Sequence, residues 1–280
     1  MTDAGGIALV LRGVGLWTPG FADAAAWSSR HVSGDMPTPA APAAETPRAE
    51  LLPPMLRRRT SLLTRMAAEV AAQAIAAAGL DRAQVTVIYG SVYGEIRTTI
   101  DLLEALLDPA GPLSPTKFHN SVHNTAAGYV SIAAQNRGGN AAITAGRATL
   151  AMGLLECAGL VAAGQGPALF VIAEESLPEP LAAGRTYGPL AAAFALDAPG
   201  SGGMSLRTCR LRQGDLRTAA PPAPVPAGLA GNPCAAALGL VAAALRPQGS
   251  VVRLTPQLQP HEDRGWLLEL DAMPDPRGPA

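Results

Sequence analysis

Arg147 follows Gly146 in "NRGGNAAITAGRATLAMGLLECAGL", residues 136 to 160, where a turn, a short apolar strand and a long apolar helix succeed one another. A strand-to-helix junction of this kind often presents a catalytic side chain. Neither residue here can be a nucleophile: glycine has no side chain, and a guanidinium stays protonated at any ordinary pH. Arg147 is therefore read either as a first-turn helix residue facing a polar cleft or as an interface residue that could pair with a carboxylate.

Other residue types with chemical potential lead less far. His119 and His123 are four apart, as metal ligands on a helix are, but "HNSVHN" falls at a loop-to-helix boundary with no third ligand nearby, so a structural or interface role is expected and no metal. Cys234 begins a helix after "GNP", a place where a thiol can be activated; a small buried cysteine is the alternative. Gly90 and Gly94 in "GSVYGE" lack the Gly-Lys-Ser/Thr of a phosphate loop and read as tight-turn glycines. Asp101 and Glu104 fall on a solvated helix face, Cys157 lies in a buried one, and Trp17, Trp27 and Trp266 read as packing residues.

The elements that must position these residues alternate along the first two thirds of the chain. "IALVLRGVGLW" reads as a first strand, and residues 36 to 54 as a Pro/Ala-rich surface excursion. "SLLTRMAAEVAAQAIAAAGL" has helical apolar spacing and ends on Gly79, a good C-cap. "VTVIYGS" is a buried strand, "EIRTTIDLLEALL" an amphipathic helix, and a Ser/Pro/Asn-rich loop leads into the helix "TAAGYVSIAAQN". The strand at 141–145, a helix from 147 to about 164, and the strands "ALFVIAEE" and "LAAAFALD" follow. This order predicts an α/β fold on a largely parallel sheet. In the last third, "GMSLRTCRLRQG" alternates as a half-exposed strand, residues 219 to 233 are a Pro-rich loop, "CAAALGLVAAAL" is a helix, and "SVVRLTPQL" and "GWLLELDA" are paired strands. The tail from Met273 is expected to fray.

Composition bounds the function. The 280 residues are 48% hydrophobic and 15% charged, enough for one large domain or two intimate halves in a globular protein. With 21 basic and 22 acidic residues and no like-charge run beyond "RRR" at 57 to 59, a nucleic-acid or anionic-membrane partner is not expected. Cys157, Cys209 and Cys234 are scattered, so neither a disulfide framework nor structural zinc is expected. With no signal-peptide pattern and no transmembrane run, the cytoplasm is the natural compartment.

The run "SPTKFHNSVHNTAAGYVSIAAQNRGGNAAITAGRATLAMGLLE" resembles the central part of β-ketoacyl synthases of the thiolase fold, where a Ser-Pro loop, an Asn, a Gly-aromatic helix, an Arg-Gly turn and a strand precede a cysteine nucleophile. "VIYGSVYGEI" resembles that family's strand and glycine-rich turn, and "RMAAEVAAQAIAAAGL" the helix before it. The likeness covers residues 55 to 197. It implies a thiolase-like layered α/β/α/β/α fold with a reduced C-terminal half: a ketosynthase N-terminal-like half over 1–198 and a truncated half over 199–280.

The resemblance also gives the Arg147 junction a meaning. In an active ketosynthase the cysteine occupies this helix N-terminus, where unpaired N–H groups and the dipole lower the thiol's pKa and stabilise an oxyanion. Ungapped alignment puts Arg147 there, and a slip of one residue puts Gly146. Active members also use two histidines and a lysine in the C-terminal half. After residue 200 this chain has one histidine, His261, and no lysine, Lys117 being its only one.

A family member without the cysteine resembles the chain length factor, the inactive partner of an active ketosynthase in type II polyketide and aryl polyene biosynthesis. That likeness implies a heterodimer with a ketosynthase, working on acyl carrier protein and using no cofactor. Thr116, Lys117 and Phe118 are expected nearest the partner's tunnel, with Asn120, His123, Asn124, Tyr129 and Arg147 completing the interface set. Two other classes stand beside it: a malonyl-carrier decarboxylase or other acyl transferase lacking the usual cysteine, with Cys234 as its thiol, and a stand-alone acyl or acyl-carrier-protein binding scaffold. An enzyme needs acid-base groups near the vacant junction; a scaffold predicts a stable homodimer.

Overall fold

The computed structural model describes residues 5–31, 46–107, 111–179, 181–203, 205–220, 224–254 and 263–273. In chain order these form β1 (Ile7–Trp17), α1 (Ala24–His31), α2 (Pro54–Arg57), α3 (Leu62–Ala78), β2 (Thr86–Gly90), α4 (Ile96–Leu107), α5 (Pro115–His119), α6 (Thr125–Ala134) and β3 (Asn140–Ile143). A 3-10 turn, Gly146–Ala148, leads into α7 (Thr149–Ala162), followed by β4 (Ala168–Glu174), β5 (Leu190–Asp197), β6 (Arg207–Asp215), α8 (Ala227–Ala230), α9 (Ala236–Leu245), β7 (Ser250–Arg253) and β8 (Arg264–Leu270). His261 and the tail from residue 274 lie outside the described residues, as do 36–45 of the expected excursion and 255–258 of the expected last strand pair.

All eight strands join one sheet in the order β3-β2-β4-β5-β1-β6-β8-β7. The largely parallel sheet expected from the alternation is not what forms: only β2 with β3 and β2 with β4 pair in parallel, and the other five pairings are antiparallel. Parallel neighbours need a long crossover, usually helical. Among the described residues α7 supplies one between β3 and β4, and α4 to α6 lie between β2 and β3, whereas no helix separates β4 from β5 or β5 from β6. The last third adds β6, β8 and β7 to β1 as an extension of the same sheet.

Helices cover both faces. α3 and α6 pack on one face with Val87, Tyr89, Leu169 and Val171, while α1, α7 and α9 pack on the other with Ile88, Phe170, Ile172 and Phe194. β4 and β5 are therefore buried along their whole length, and each large side chain so buried contributes about 1.5–3 kcal/mol. Ser61 caps α3 by accepting from Thr64 N–H at 3.0 Å, and Gly79 closes it with φ +62°. At the far end of the sheet, buried Arg207 of β6 donates to the carbonyls of Ala243, Arg246 and Gln248, satisfying the C-terminal end of α9.

Two short helices form where the sequence reads as loop. Ser114 accepts from Lys117 N–H at 3.3 Å and Pro115 occupies the first turn, so α5 is nucleated by its cap. α8 is a single turn within the Pro-rich stretch.

Candidate functional site

The C-terminal ends of the parallel strands β2, β3 and β4 meet at the junction before α7, the place where open α/β sheets hold their ligands. Gly146 there adopts φ +54°, and a β-carbon on it would meet nothing within 4 Å. Thr149 locks the turn: its hydroxyl donates to the Gly146 carbonyl at 2.6 Å and accepts from Ala145 N–H at 3.0 Å. Arg147 is exposed and makes no hydrogen bond or ion pair among the described residues. The junction thus presents a free guanidinium and no nucleophile.

The turn after β2 forms the next wall. The Glu174 carboxylate, at the end of β4, accepts from Val92 N–H at 2.6 Å, Tyr93 N–H at 3.3 Å and the Ser91 hydroxyl at 3.1 Å, and that hydroxyl in turn accepts from Gly94 N–H. His123 faces this turn rather than any metal or His119: its Nε2 lies 3.0 Å from the Ser91 carbonyl, which only accepts, so Nε2 is the protonated nitrogen. Gly94 is required by this contact, since a β-carbon there would stand 2.9 Å from the imidazole.

Three carboxylates, Glu95, Glu174 and Glu175, are almost fully buried here. Burial raises all three, Glu174 to about 7 and Glu175 to about 8, with hydrogen bonds to Glu174 and the Arg97 guanidinium beside Glu175 opposing it. Glu95 accepts from the hydroxyls of Ser61 and Thr64 at 2.7 and 2.8 Å. The only sequence signal of this group was a Glu pair closing the wholly apolar "ALFVIA".

Four of the interface residues expected from the sequence come together. Thr116, Lys117, Asn120 and Tyr129 line a polar cavity of about 280 Å³ with Glu95 and Thr125. The Tyr129 hydroxyl donates to Asn120 Oδ1 at 3.0 Å, tying α6 to α5. Asn124 and Tyr129 line a second cavity, about 420 Å³, with Val122 and Ile132. Phe118 projects into solvent, 70% exposed. Arg147 and His123 line neither cavity.

Cys234 is no candidate thiol. It is fully buried, burial and then the nearby Glu174 push its pKa well up, and its N–H is bound to Asn232 Oδ1 at 2.8 Å. Among the described residues no helix is long and apolar enough to cross a membrane.

Residues 26–254 match the model of the β-ketoacyl synthase N-terminal domain. The chain belongs to the β-ketoacyl synthase family. Solved structures with the same fold include the ketosynthase ApeO in complex with its chain length factor ApeC from Xenorhabdus doucetiae, at 22% identity, TM-score 0.66, and coverage of 94% of this chain and 99% of that one. The ishigamide ketosynthase/chain length factor matches at 15% identity, TM-score 0.70, over 95% and 99% of the two chains. A β-ketoacyl synthase from Burkholderia phymatum matches at 17% identity and TM-score 0.54, over 74% of this chain but 64% of that one. No curated protein matches in sequence. The Gly146–Arg147 turn leads into α7, whose first turn carries no cysteine; its one thiol, Cys157, is buried mid-helix.

Proposed function

We propose that this protein is a non-catalytic member of the β-ketoacyl synthase family, the chain length factor-like partner of an active ketosynthase in polyketide or aryl polyene biosynthesis, working on acyl carrier protein in the cytoplasm. The carrying observation is the guanidinium at the head of α7, where a condensing enzyme needs a thiolate. Cys157, Cys209 and Cys234 are all buried, and burial pushes each thiol's pKa up, which argues against a thiol poised for acyl transfer.

An uncovered face supports a protein partner. Seven of the nine exposed large apolar side chains among the described residues, from Leu103 to Ile132, lie on α4, α5, α6 and their connections. β3 beside them is an edge strand of uncharged residues, paired on one side only. An apolar face next to an open edge is stable in water when another chain covers it. The length agreement is of the same kind: this chain spans 99% of chains in ketosynthase/chain length factor assemblies and 45% of a bacillaene ketosynthase chain.

The non-catalytic half of the proposal is tested on the purified chain with malonyl- and acyl-loaded carrier protein. It releases neither carbon dioxide nor condensed product, and Arg147→Cys restores neither, because the histidine pair is missing as well. Carbon dioxide release by the chain alone would sink the proposal.

A further inference from the structure

The longest run of like charge in the chain is "RRR" at residues 57 to 59, and the fold uses only its first side chain. Arg57 Nη1 donates to the Arg48 carbonyl at 2.7 Å. Arg58 and Arg59, just past the end of α2, are exposed, and among the described residues neither side chain makes a hydrogen bond or an ion pair. Both line the polar cavity of about 280 Å³ enclosed by the heads of α3 and α4 and by α5 and α6. Asn120 Nδ2 donates to the Arg59 carbonyl at 3.4 Å, which holds the arginine segment against the end of α5.

The other charges in this cavity are already answered. Lys117 Nζ pairs with Asp101 at 3.1 Å. Glu95 is 2% exposed, and its carboxyl accepts from the hydroxyls of Ser61, Thr64 and Thr98. Burial moves that carboxyl toward its neutral form. Two guanidiniums without a counter-charge remain, beside the exposed hydroxyl of Thr116, which has no partner among the described residues. Both arginines stand on the open wall, so a ligand reaches them without breaking any contact of the fold.

We propose that this cavity binds a small phosphate monoester, its dianionic phosphate held by Arg58 and Arg59 and its polar body against Thr116, Thr98 and Asn120. Guanidinium forks match phosphate oxygens in geometry and charge. Coulomb attraction scales with the product of the charges, so two cations favour a dianion over a monoanion. A lining of hydroxyls and an amide suits a hydroxylated body better than a hydrocarbon one. The site uses nothing of the Arg147 junction.

The test is calorimetric titration of the purified chain with glycerol 3-phosphate, set against glycerate, a hydroxylated monoanion of similar size, and against uncharged glycerol. Glycerol 3-phosphate should bind at least tenfold more tightly than glycerate, and glycerol should give no heat of binding. The double replacement Arg58→Gln with Arg59→Gln should weaken glycerol 3-phosphate at least tenfold. Arg137→Gln, at an exposed position outside the cavity, should leave binding unchanged. Thr116→Asp, which adds a negative charge at the rim, should weaken it as well. No binding of glycerol 3-phosphate, equal binding of glycerate, binding that survives the double replacement, or an equal loss in Arg137→Gln would each overturn the site. If the doubly replaced chain does not fold, Thr116→Asp and the comparison with glycerate still decide it. None of these outcomes bears on whether the chain pairs with a ketosynthase.

Discussion

The hydroxyl of Thr149 in the first turn of α7 donates to the carbonyl of Gly146 at 2.6 Å while accepting from Ala145 N–H, so one side chain closes the turn that carries Arg147. Thr149 is buried and Arg147 exposed. The junction's shape is therefore held from below, independently of the residue displayed on it.

Thr149→Val keeps the shape of the side chain and removes both bonds, leaving the Ala145 N–H without its acceptor. A loss of about 1–2 kcal/mol is expected by denaturant unfolding. Arg147→Ala should change stability by no more than about 0.5 kcal/mol. The reverse ranking would mean that Arg147, not Thr149, holds the turn.

α7 approaches β4 through a missing side chain. A β-carbon on Gly153 would fall 2.0 Å from Cε2 of Phe170, whose ring is fully buried. Glycine in a helix normally gains about 1 kcal/mol on replacement by alanine. Here overpacking wins, and Gly153→Ala should lose about 1–3 kcal/mol. A higher midpoint of thermal unfolding in the variant would show that α7 stands further from the sheet.

The buried carboxyls make stability depend on pH with a definite sign. Burial raises Glu174 to about 7 and Glu175 to about 8 from an ordinary value of 4.5. The folded chain thus keeps protons that the unfolded chain has released. Their contribution is complete below about pH 4.5 and falls as pH rises to about 8, at up to ~1.4 kcal/mol per pH unit for each group. Glu175→Gln, neutral at every pH, should flatten the unfolding free energy measured between pH 5 and 8. An unchanged slope would show that Glu175 stays ionised in the fold.

The apolar face should be an interface. Ile132→Asp on α6 and Leu106→Asp on α4 place charge on a surface that is 65% and 60% exposed in the single chain. Neither should alter the stability of the isolated protein by more than about 0.5 kcal/mol, yet each should weaken pairing with a ketosynthase by at least tenfold in a pull-down titration. Pairing that tolerates both charges would place the partner elsewhere.

Much of this was legible in the sequence, for physical reasons. Strand and helix periods located most of the long elements, because wholly apolar runs such as "ALFVIAE" and small-residue runs such as "AALGLVAAAL" have one stable home, the core; α1, "AAAWSSRH", was missed because its two turns carry little apolar periodicity. Strand direction was not legible: it depends on whether a crossover helix intervenes, and the helix-free connections from β4 through β5 to β6 turn the chain back. In the site, Thr116, Lys117, Asn120 and Tyr129, named together through the family resemblance, line one cavity. Glu95 and Glu174, 79 positions apart, were not legible, because burial of a carboxylate is decided by distant partners such as Thr64 and the turn at Val92. The bulge between Leu11 and Gly13, which turns Arg12 inward against Asp197, has no sequence mark at all.

The central claim is an inactive chain whose exposed face belongs to an active ketosynthase. It is tested most directly by co-expressing the protein with a ketosynthase of a chain length factor-dependent system, purifying through a tag on this chain, and assaying condensation on carrier-bound substrates. The account predicts a one-to-one complex in which condensation occurs and a ketosynthase that is inactive when purified without it. A stable homodimer of this chain that ignores the ketosynthase and consumes malonyl-carrier by itself would contradict it.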